Sequence, residues 1–342
     1  MEARTTSAKV GVLEVKDSVQ ETTRQVMELA EWRKFITPDA DVALKVNLGW
    51  DMFLPGAVSA PWVVEGVIQT IREHVGQIYI VESSQILVDA ERALRQTKIA
   101  DLCQKYGVLW VNMSQGQFVK MKLNGSVLKE IEVPQILMRT EMITLPVMKT
   151  HGRTVITGAI KNQWGCLREL RHNYHPVLDQ ALADINGFLR PKFAVMDGTV
   201  GLEGNGPKSG VPKIADLVLA SGDIVALDTV AAQIMGFRPE DIPHLHLCAQ
   251  EGIGHNDPSR IEIAGVDIDQ LGVRFQAGRN NTVALVEELL RRSTFKRLVF
   301  ATPLLNFFCW GAKAWYFLWY YYKGRGYRDK ILADPKYGPQ WM

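Results

Sequence analysis

The amino-acid sequence predicts an α/β protein of Rossmann-like type, a largely parallel sheet flanked by helices, followed by an aromatic, helical C-terminal appendage. Two observations carry that prediction. From residue 9 to residue 112, apolar segments of strand length alternate with stretches of helical spacing, the rhythm of βαβ units. Beyond residue 274 the composition changes, with aromatic residues crowded between clusters of cations. The α/β body is therefore bounded at residues 1–274 and the C-terminal segment at 275–342.

Residues 9–15 (KVGVLEV) alternate as a strand, and Val19, Val26, Met27 and Leu29 give 18–32 helical spacing. Residues 41–48 read as a second apolar strand, which ends with Lys45 and Asn47 two apart. After a loop with Pro55, Gly56 and Pro61, residues 62–74 form a helix. Residues 77–81 are a buried strand ending at Glu82, 89–106 an amphipathic helix stopped by Gly107, and 108–112 another strand. Asn124-Gly125, between apolar runs at 118–123 and 127–133, is a strong hairpin signal. A helix follows over 154–164, and another over 178–189 that Pro191 ends. Residues 192–196 are a strand leading to a glycine-rich turn at 197–210. Ser221 or Asp223 caps a helix at 223–235, and Gly236 ends it. A short helix at 244–250 and a strand at 260–266 close the body.

Bulk properties narrow the function. The chain has 342 residues, of which 47% are hydrophobic, so one large unit or two smaller domains can bury a core. With 39 Lys and Arg against 37 Asp and Glu, the charge balance argues against a dedicated nucleic-acid binder. Cys103, Cys166, Cys248 and Cys309 lie far apart without a C-x-x-C pair, which points to buried free thiols and away from a disulfide framework, a zinc ribbon or an iron–sulfur cluster. The first residues have no apolar h-region, so a cytoplasmic location is expected, at the inner face of the membrane if the tail binds lipid.

The densest chemistry lies in residues 141–175, where an apolar strand gives way to Lys149, His151, Arg153, Lys161, Asn162, Arg168, Arg171, His172 and His175. Lys149 and His151 are two apart, so on a strand they share a face. At the carboxyl end of a strand in an open α/β sheet, that is where ligands bind. The pattern reads as a pocket for an anionic small molecule; a basic solvated loop is the plainer alternative. His151 and His175 are candidates for acid–base work or metal ligation.

Residues 201–209 spell G-x-x-x-x-G-P-K-S, which departs from a nucleotide P-loop because Pro207 stands where Lys is required. No G-x-G-x-x-G joins a strand to a helix, so a classical dinucleotide site is not expected. Asp197 and Glu203 are candidates to hold a divalent cation, and the glycines to form an anion nest. Asp228 stands near the apolar stripe of its helix, where a charge needs a partner such as Lys161 or Lys149, for a structural pair or for catalysis.

In the tail, residues 298–322 carry Lys313 as their single charge, with Arg291, Arg292, Lys296 and Arg297 before them and Lys323, Arg325, Arg328 and Lys330 after. Pro303, Asn306 and Lys313 weigh against a clean membrane span. An interfacial segment at a membrane surface fits better, and packing on the body or in an oligomer interface is the other reading.

Several ordered blocks carry a family resemblance: KVNLG (45–49), LPVMKTHGRTVITGAIKNQWG (145–165), MDGTVGLEGNGPKSG (196–210), LASGDIVALDTVAAQIMG (219–236) and EGIG (251–254). Together they resemble the family known as domain of unknown function 362, over about residues 40–268. The resemblance implies that Lys45, Asn47, Lys149, His151, Lys161, Asn162, His175, Asp197, Glu203, Gly204 and Asp228 form the site. Family members are often fused to a ferredoxin-like module, and this chain lacks its cysteines. The expectation is an enzyme acting by acid–base chemistry on a phosphate- or carboxylate-bearing small molecule. In that reading Lys149, Lys161 and Lys45 hold the anion while His151 and His175 move protons. A lipid-linked substrate would explain the tail. The alternatives are a metal-dependent racemase or isomerase with histidine ligands, and a non-catalytic membrane-associated binding or assembly factor.

Overall fold

The computed structural model describes residues 7–168, 171–279, 282–294, 296–300, 302 and 304–341. Pro303 and the side chains of His172, Lys296 and Arg297 fall outside the described residues. β1 (Ala8–Glu14) leads into α1 (Val19–Leu29), capped by the Ser18 hydroxyl, which accepts from the Glu21 N–H. β2 (Val42–Lys45), α2 (Pro61–Ile71), β3 (Ile78–Glu82), α3 (Ala90–Gln96), α4 (Ile99–Tyr106) and β4 (Leu109–Asn112) complete the first βαβ units. The single helix expected at 89–106 is two, because Lys98 takes a left-handed φ of 62° between them.

β5 (Phe118–Lys122) and β6 (Glu130–Pro134) form a separate antiparallel ribbon. Asn124-Gly125 are not a two-residue turn, since Lys122 pairs with Glu130 and the loop between them is wider. The Asp184 carboxylate explains this. It accepts from the N–H groups of Ser126, Val127 and Leu128 and holds the loop open against the next helix layer.

β7 (Glu141–Thr144), β8 (Val147–His151) and β9 (Val155–Ile156) precede α5 (Gly158–Asn162). The helix expected at 154–164 is thus shorter. Residues 155 and 156 pair back on β8, and Gly158 turns the corner at φ 53°. α6 (Leu178–Leu189), β10 (Phe193–Glu203), β11 (Val211–Ser221), α7 (Ile224–Met235), α8 (Pro243–Gln250) and β12 (Ile261–Gly265) follow. Asp223 caps α7, accepting from the N–H groups of Val225 and Ala226.

The glycine-rich stretch at 197–210 is mostly strand rather than turn: β10 runs on to Glu203 and pairs with β11 in a long hairpin. Its glycines mark close approach. A Cβ on Gly201 would lie 2.6 Å from the Met148 carbonyl, and one on Gly206 would overlap that of Thr150.

The main sheet has the order β12-β1-β11-β10-β7-β2-β3-β4, with β8 beside the far part of β10. β7, β2, β3 and β4 run parallel, as do β10 with β7 and β8, while β11 runs against its neighbours. Side chains alternate between two apolar layers. Val42 and Leu44 of β2 face α1 and α2, and Ala43 faces α5 to α8. Lys45 continues the second face, so the parallel strands carry it to their carboxyl rim.

The C-terminal segment forms α9 (Thr282–Arg292), α10 (Lys296–Phe300), α11 (Leu304–Trp319), α12 (Arg325–Leu332) and α13 (Gly338–Trp341). Among the described residues no helix is long and apolar enough to cross a membrane. The end of the chain packs into the body: Trp62 on α2 stacks on Tyr337 at 5.6 Å and meets Trp341 edge-on at 4.7 Å. The Tyr337 hydroxyl donates to Asp216 Oδ1 at 2.6 Å, and the Tyr320 hydroxyl to the Phe53 carbonyl. Tyr337 is fully buried, so Tyr337→Ala removes a large apolar contact and leaves a cavity. We expect a loss of about 3–5 kcal/mol in urea unfolding, against about 1 kcal/mol for Tyr337→Phe, which keeps the ring.

Candidate functional site

The carboxyl ends of β2, β3 and β8, together with α5 and the 204–210 hairpin tip, enclose a cleft of about 230 Å³. A hydrogen-bonded network forms its floor. Lys149 Nζ donates to Asn47 Oδ1 at 2.8 Å and to the Ala57 carbonyl at 3.0 Å. Asn47 Nδ2 donates to Asn162 Oδ1, and Asn162 Nδ2 donates to the Lys45 carbonyl and Thr144 Oγ1. These bonds fix both amide orientations, because each side-chain oxygen must face a donor.

Lys45 is different from the other lysines. It is 1% exposed and paired at 2.9 Å with Glu82, which also accepts from the N–H groups of Leu48 and Ser83. A Cβ on Gly165 would press on both partners, so glycine is needed there. Lys45 therefore braces the rim instead of offering charge to an anion, which corrects the expectation that it binds substrate.

Among the described residues Lys149 has no carboxylate partner. Burial, then the neighbouring Lys161, pushes its amine down to about 7. Lys161 is pushed down to about 8 by burial and by Arg171, and no carboxylate pairs with it among the described residues. Lys208, from the hairpin tip, stands 5.3 Å from the Trp50 ring and 5.8 Å from Tyr316, and burial pushes it to about 7. Among the described residues lining the cleft, cationic side chains outnumber the two carboxylates, Glu82 and Glu287.

The two histidines take opposite roles. His151 Nδ1 accepts from the backbone N–H of Arg153 at 3.0 Å and of Thr154 at 3.3 Å. Its neutral ring must carry the proton on Nε2, and burial, followed by Lys161, holds its pKa well below the usual histidine value. It faces the cleft as a neutral hydrogen-bond donor, a narrower role than the acid–base work or metal ligation expected from the sequence. His175 instead gives its Nδ1–H to Glu287 Oε1 at 2.9 Å, so its Nε2 carries the lone pair. Burial lowers the His175 pKa, and Glu287 opposes that. Glu287 is half-buried, and the His175 hydrogen bond and the charges of His175 and Arg153, with a bond from Arg291, outweigh that burial and hold it at about 2.

The remaining expected residues lie elsewhere. Asp197 is not at a strand end but within β10, where it accepts from Ala60 N–H, Thr199 N–H and Thr199 Oγ1. Burial raises its pKa. Glu203 accepts from Gln276 N–H and pairs with Lys213. The two stand six positions apart on one strand, about 20 Å along it, so they cannot share a cation. Among the described residues no group of three His, Cys, Asp or Glu could hold a metal. In the cleft, the lysine and arginine charges around the two imidazoles oppose a cation.

Asp228 pairs with neither Lys161 nor Lys149. It accepts the N–H groups of Ala159 at 2.6 Å and Ile160 at 2.9 Å, tying α7 to the start of α5. Burial pushes it up to about 7. Gly204, at φ 77°, turns the hairpin outside the cleft lining. Sequence reasoning missed Lys208, Glu82 and Glu287 as site residues. Lys208 had a signal, the lysine of the imperfect phosphate motif. Glu287 had none, being one acid on an amphipathic helix far along the chain.

The comparisons with known proteins give the family and two similar proteins. A family model described as domain of unknown function (DUF362) matches residues 42–233. The chain is 28% identical over 243 residues to a thylakoid-associated protein of Synechocystis sp., covering 67% of this chain and 72% of that one. A solved structure of the lactate racemase apoprotein from Thermoanaerobacterium thermosaccharolyticum is similar at a TM-score of 0.38 and 11% identity. That match covers 66% of this chain and 57% of the racemase, a likeness too weak to carry racemase chemistry here. Glu287 lies outside the matched residues.

Anion binding should follow the lysines. Sulfate keeps one charge state across neutral pH, while Lys149 and Lys161 lose protons near 7 and 8. Its affinity by calorimetry should fall about tenfold or more from pH 6.5 to pH 9, and Lys161→Met should remove most of the binding at pH 6.5.

Proposed function

The chain belongs to the DUF362 family, and from the chemistry of its own cleft we propose an enzyme that acts on an anionic small molecule by acid–base catalysis. One observation carries this reading: a base held by a carboxylate, a neutral imidazole donor and unneutralised lysines face the same small cavity. The phosphate or carboxylate of the substrate is held by Lys149 and Lys161, with Lys208 closing from the hairpin tip. His175 Nε2 accepts a proton, and Glu287 steadies the imidazolium that forms. The His151 Nε2–H donates to an oxygen on which negative charge develops, a role that a neutral ring performs at any pH above its own pKa. Lys149, with a pKa near 7, is suited to return a proton.

A thermal-shift screen of phosphate and carboxylate metabolites identifies the substrate class. Turnover of the stabilising compound should then drop about 10²–10⁴-fold in His175→Ala. Glu287→Gln should lose less and shift the acidic limb of the pH profile, because the ring keeps its place but loses its counter-charge. Unchanged turnover in His175→Ala would remove the catalytic reading; unchanged melting temperature with lost turnover supports it.

We also propose that the tail meets a membrane surface. Phe307, Trp310 and Leu318 on one face of α11 are each about two-thirds exposed, and Arg291, Arg292, Lys323 and Arg325 flank them. The Synechocystis relative is named thylakoid-associated, which is in keeping with a membrane contact. In sedimentation with vesicles containing phosphatidylglycerol, Phe307→Ser with Trp310→Ser should weaken binding about tenfold or more, and raised salt should weaken it further.

A further inference from the structure

Beside the polar cleft runs a second cavity of about 340 Å³, between α9, α10 and α11. Val286, Leu290, Phe300, Phe308, Ala312 and Trp315 form its walls. Its charged groups are Glu287 and Arg291, which pair with each other at 2.8 Å, and Arg291 also lies over Phe300 at 4.2 Å. The groove is therefore apolar along its length. Leu87, Val283 and Glu287 line both cavities, so the apolar groove opens directly beside the lysines and His175.

We infer that the groove seats the hydrocarbon chain of the substrate, making that substrate an amphiphile with an anionic head and a linear apolar tail. This rests on the reading of the cleft as an anion site. Two physical features select this occupant. The first is continuity: a molecule whose charged end reaches Lys161 and His175 must leave the cleft past Leu87 and Val283, into the groove. The second is complementarity, because the cleft has excess positive charge among the described residues at one end of a passage whose other end is lined mainly by apolar side chains, its Glu287 and Arg291 being paired with each other. Phe307, on the exposed face of α11, also lines the groove, so the passage reaches the surface that aromatic residues cover. A chain entering there moves from one apolar environment to another, while its head exchanges solvent for lysines.

Calorimetry with n-alkyl phosphates from butyl to decyl, below their critical micelle concentrations, tests this. Affinity should rise roughly three- to fourfold per added methylene until the groove is full. A Cβ on Gly311 meets open space, so Gly311→Trp obstructs the groove without crowding the helix. That variant should flatten the chain-length dependence and leave butyl phosphate affinity within about twofold. Val286→Ser, at a partly exposed position, should lower decyl but not butyl phosphate affinity.

Butyl and decyl phosphates binding alike to the wild type would overturn the groove inference while leaving the anion cleft standing. Binding of no alkyl phosphate of any length would overturn both. Decyltrimethylammonium binding as tightly as decyl phosphate would overturn the inference by showing an indiscriminate apolar face. So would a concentration-dependent dimer that Gly311→Trp abolishes, with no chain-length dependence, because the groove would then be a contact between copies.

Discussion

The cleft depends on burying, among the described residues, more positive than negative charge at one rim of the sheet. Lys149 is 2% exposed and meets two neutral oxygens, Asn47 Oδ1 and the Ala57 carbonyl, in place of a carboxylate. A charged amine in that setting is costly, so it sheds its proton far more readily than a solvated lysine. Folding supports such a group only where the surrounding frame is rigid. The Asn47–Asn162 bond, the Lys45–Glu82 pair and the Asp228 clamp on α5 supply that rigidity. Each spends its own polar capacity on structure, whereas among the described residues Lys149 and Lys161 have no carboxylate partner.

The C-terminal segment is part of that arrangement. α9 brings Glu287 to His175, and α11 brings Tyr316 to the lining and against Trp50. Further on, Tyr337 and Trp341 close over Trp62, whose indole N–H bonds Thr199, the same residue that donates to Asp197. Asp197 thus belongs to the scaffold linking β10, α2 and the end of the chain. A buried carboxylate with three donors has most of its accepting capacity spent on structure.

Several glycines do related work through space. Gly158 lies so close to the Asp228 carboxylate that any side chain would collide with it, and its positive φ turns β9 into α5. Gly201 and Gly206 let β10 and the hairpin tip lie against β8, which swings Lys208 over the cleft. The motif resembling a phosphate loop therefore brings a lysine to the cleft by a different geometry, at the end of a hairpin and not at the start of a helix.

The sequence by itself determined the α/β class, the parallel rhythm through β4, the cap of α7 and the cluster formed by Lys149, His151, Lys161 and Asn162. These are legible because they rest on local periodicity, side-chain capping and residues close together in the chain. Only the tertiary structure decided that Lys45 is neutralised by Glu82, that Asp197 and Glu203 stand apart, that Asp228 clamps a helix, and that Glu287 orients His175. Each of these depends on a partner tens of residues away or more. A side chain's charge is written in the sequence, but whether it is paired, desolvated or free for a ligand is set by whatever the fold places next to it.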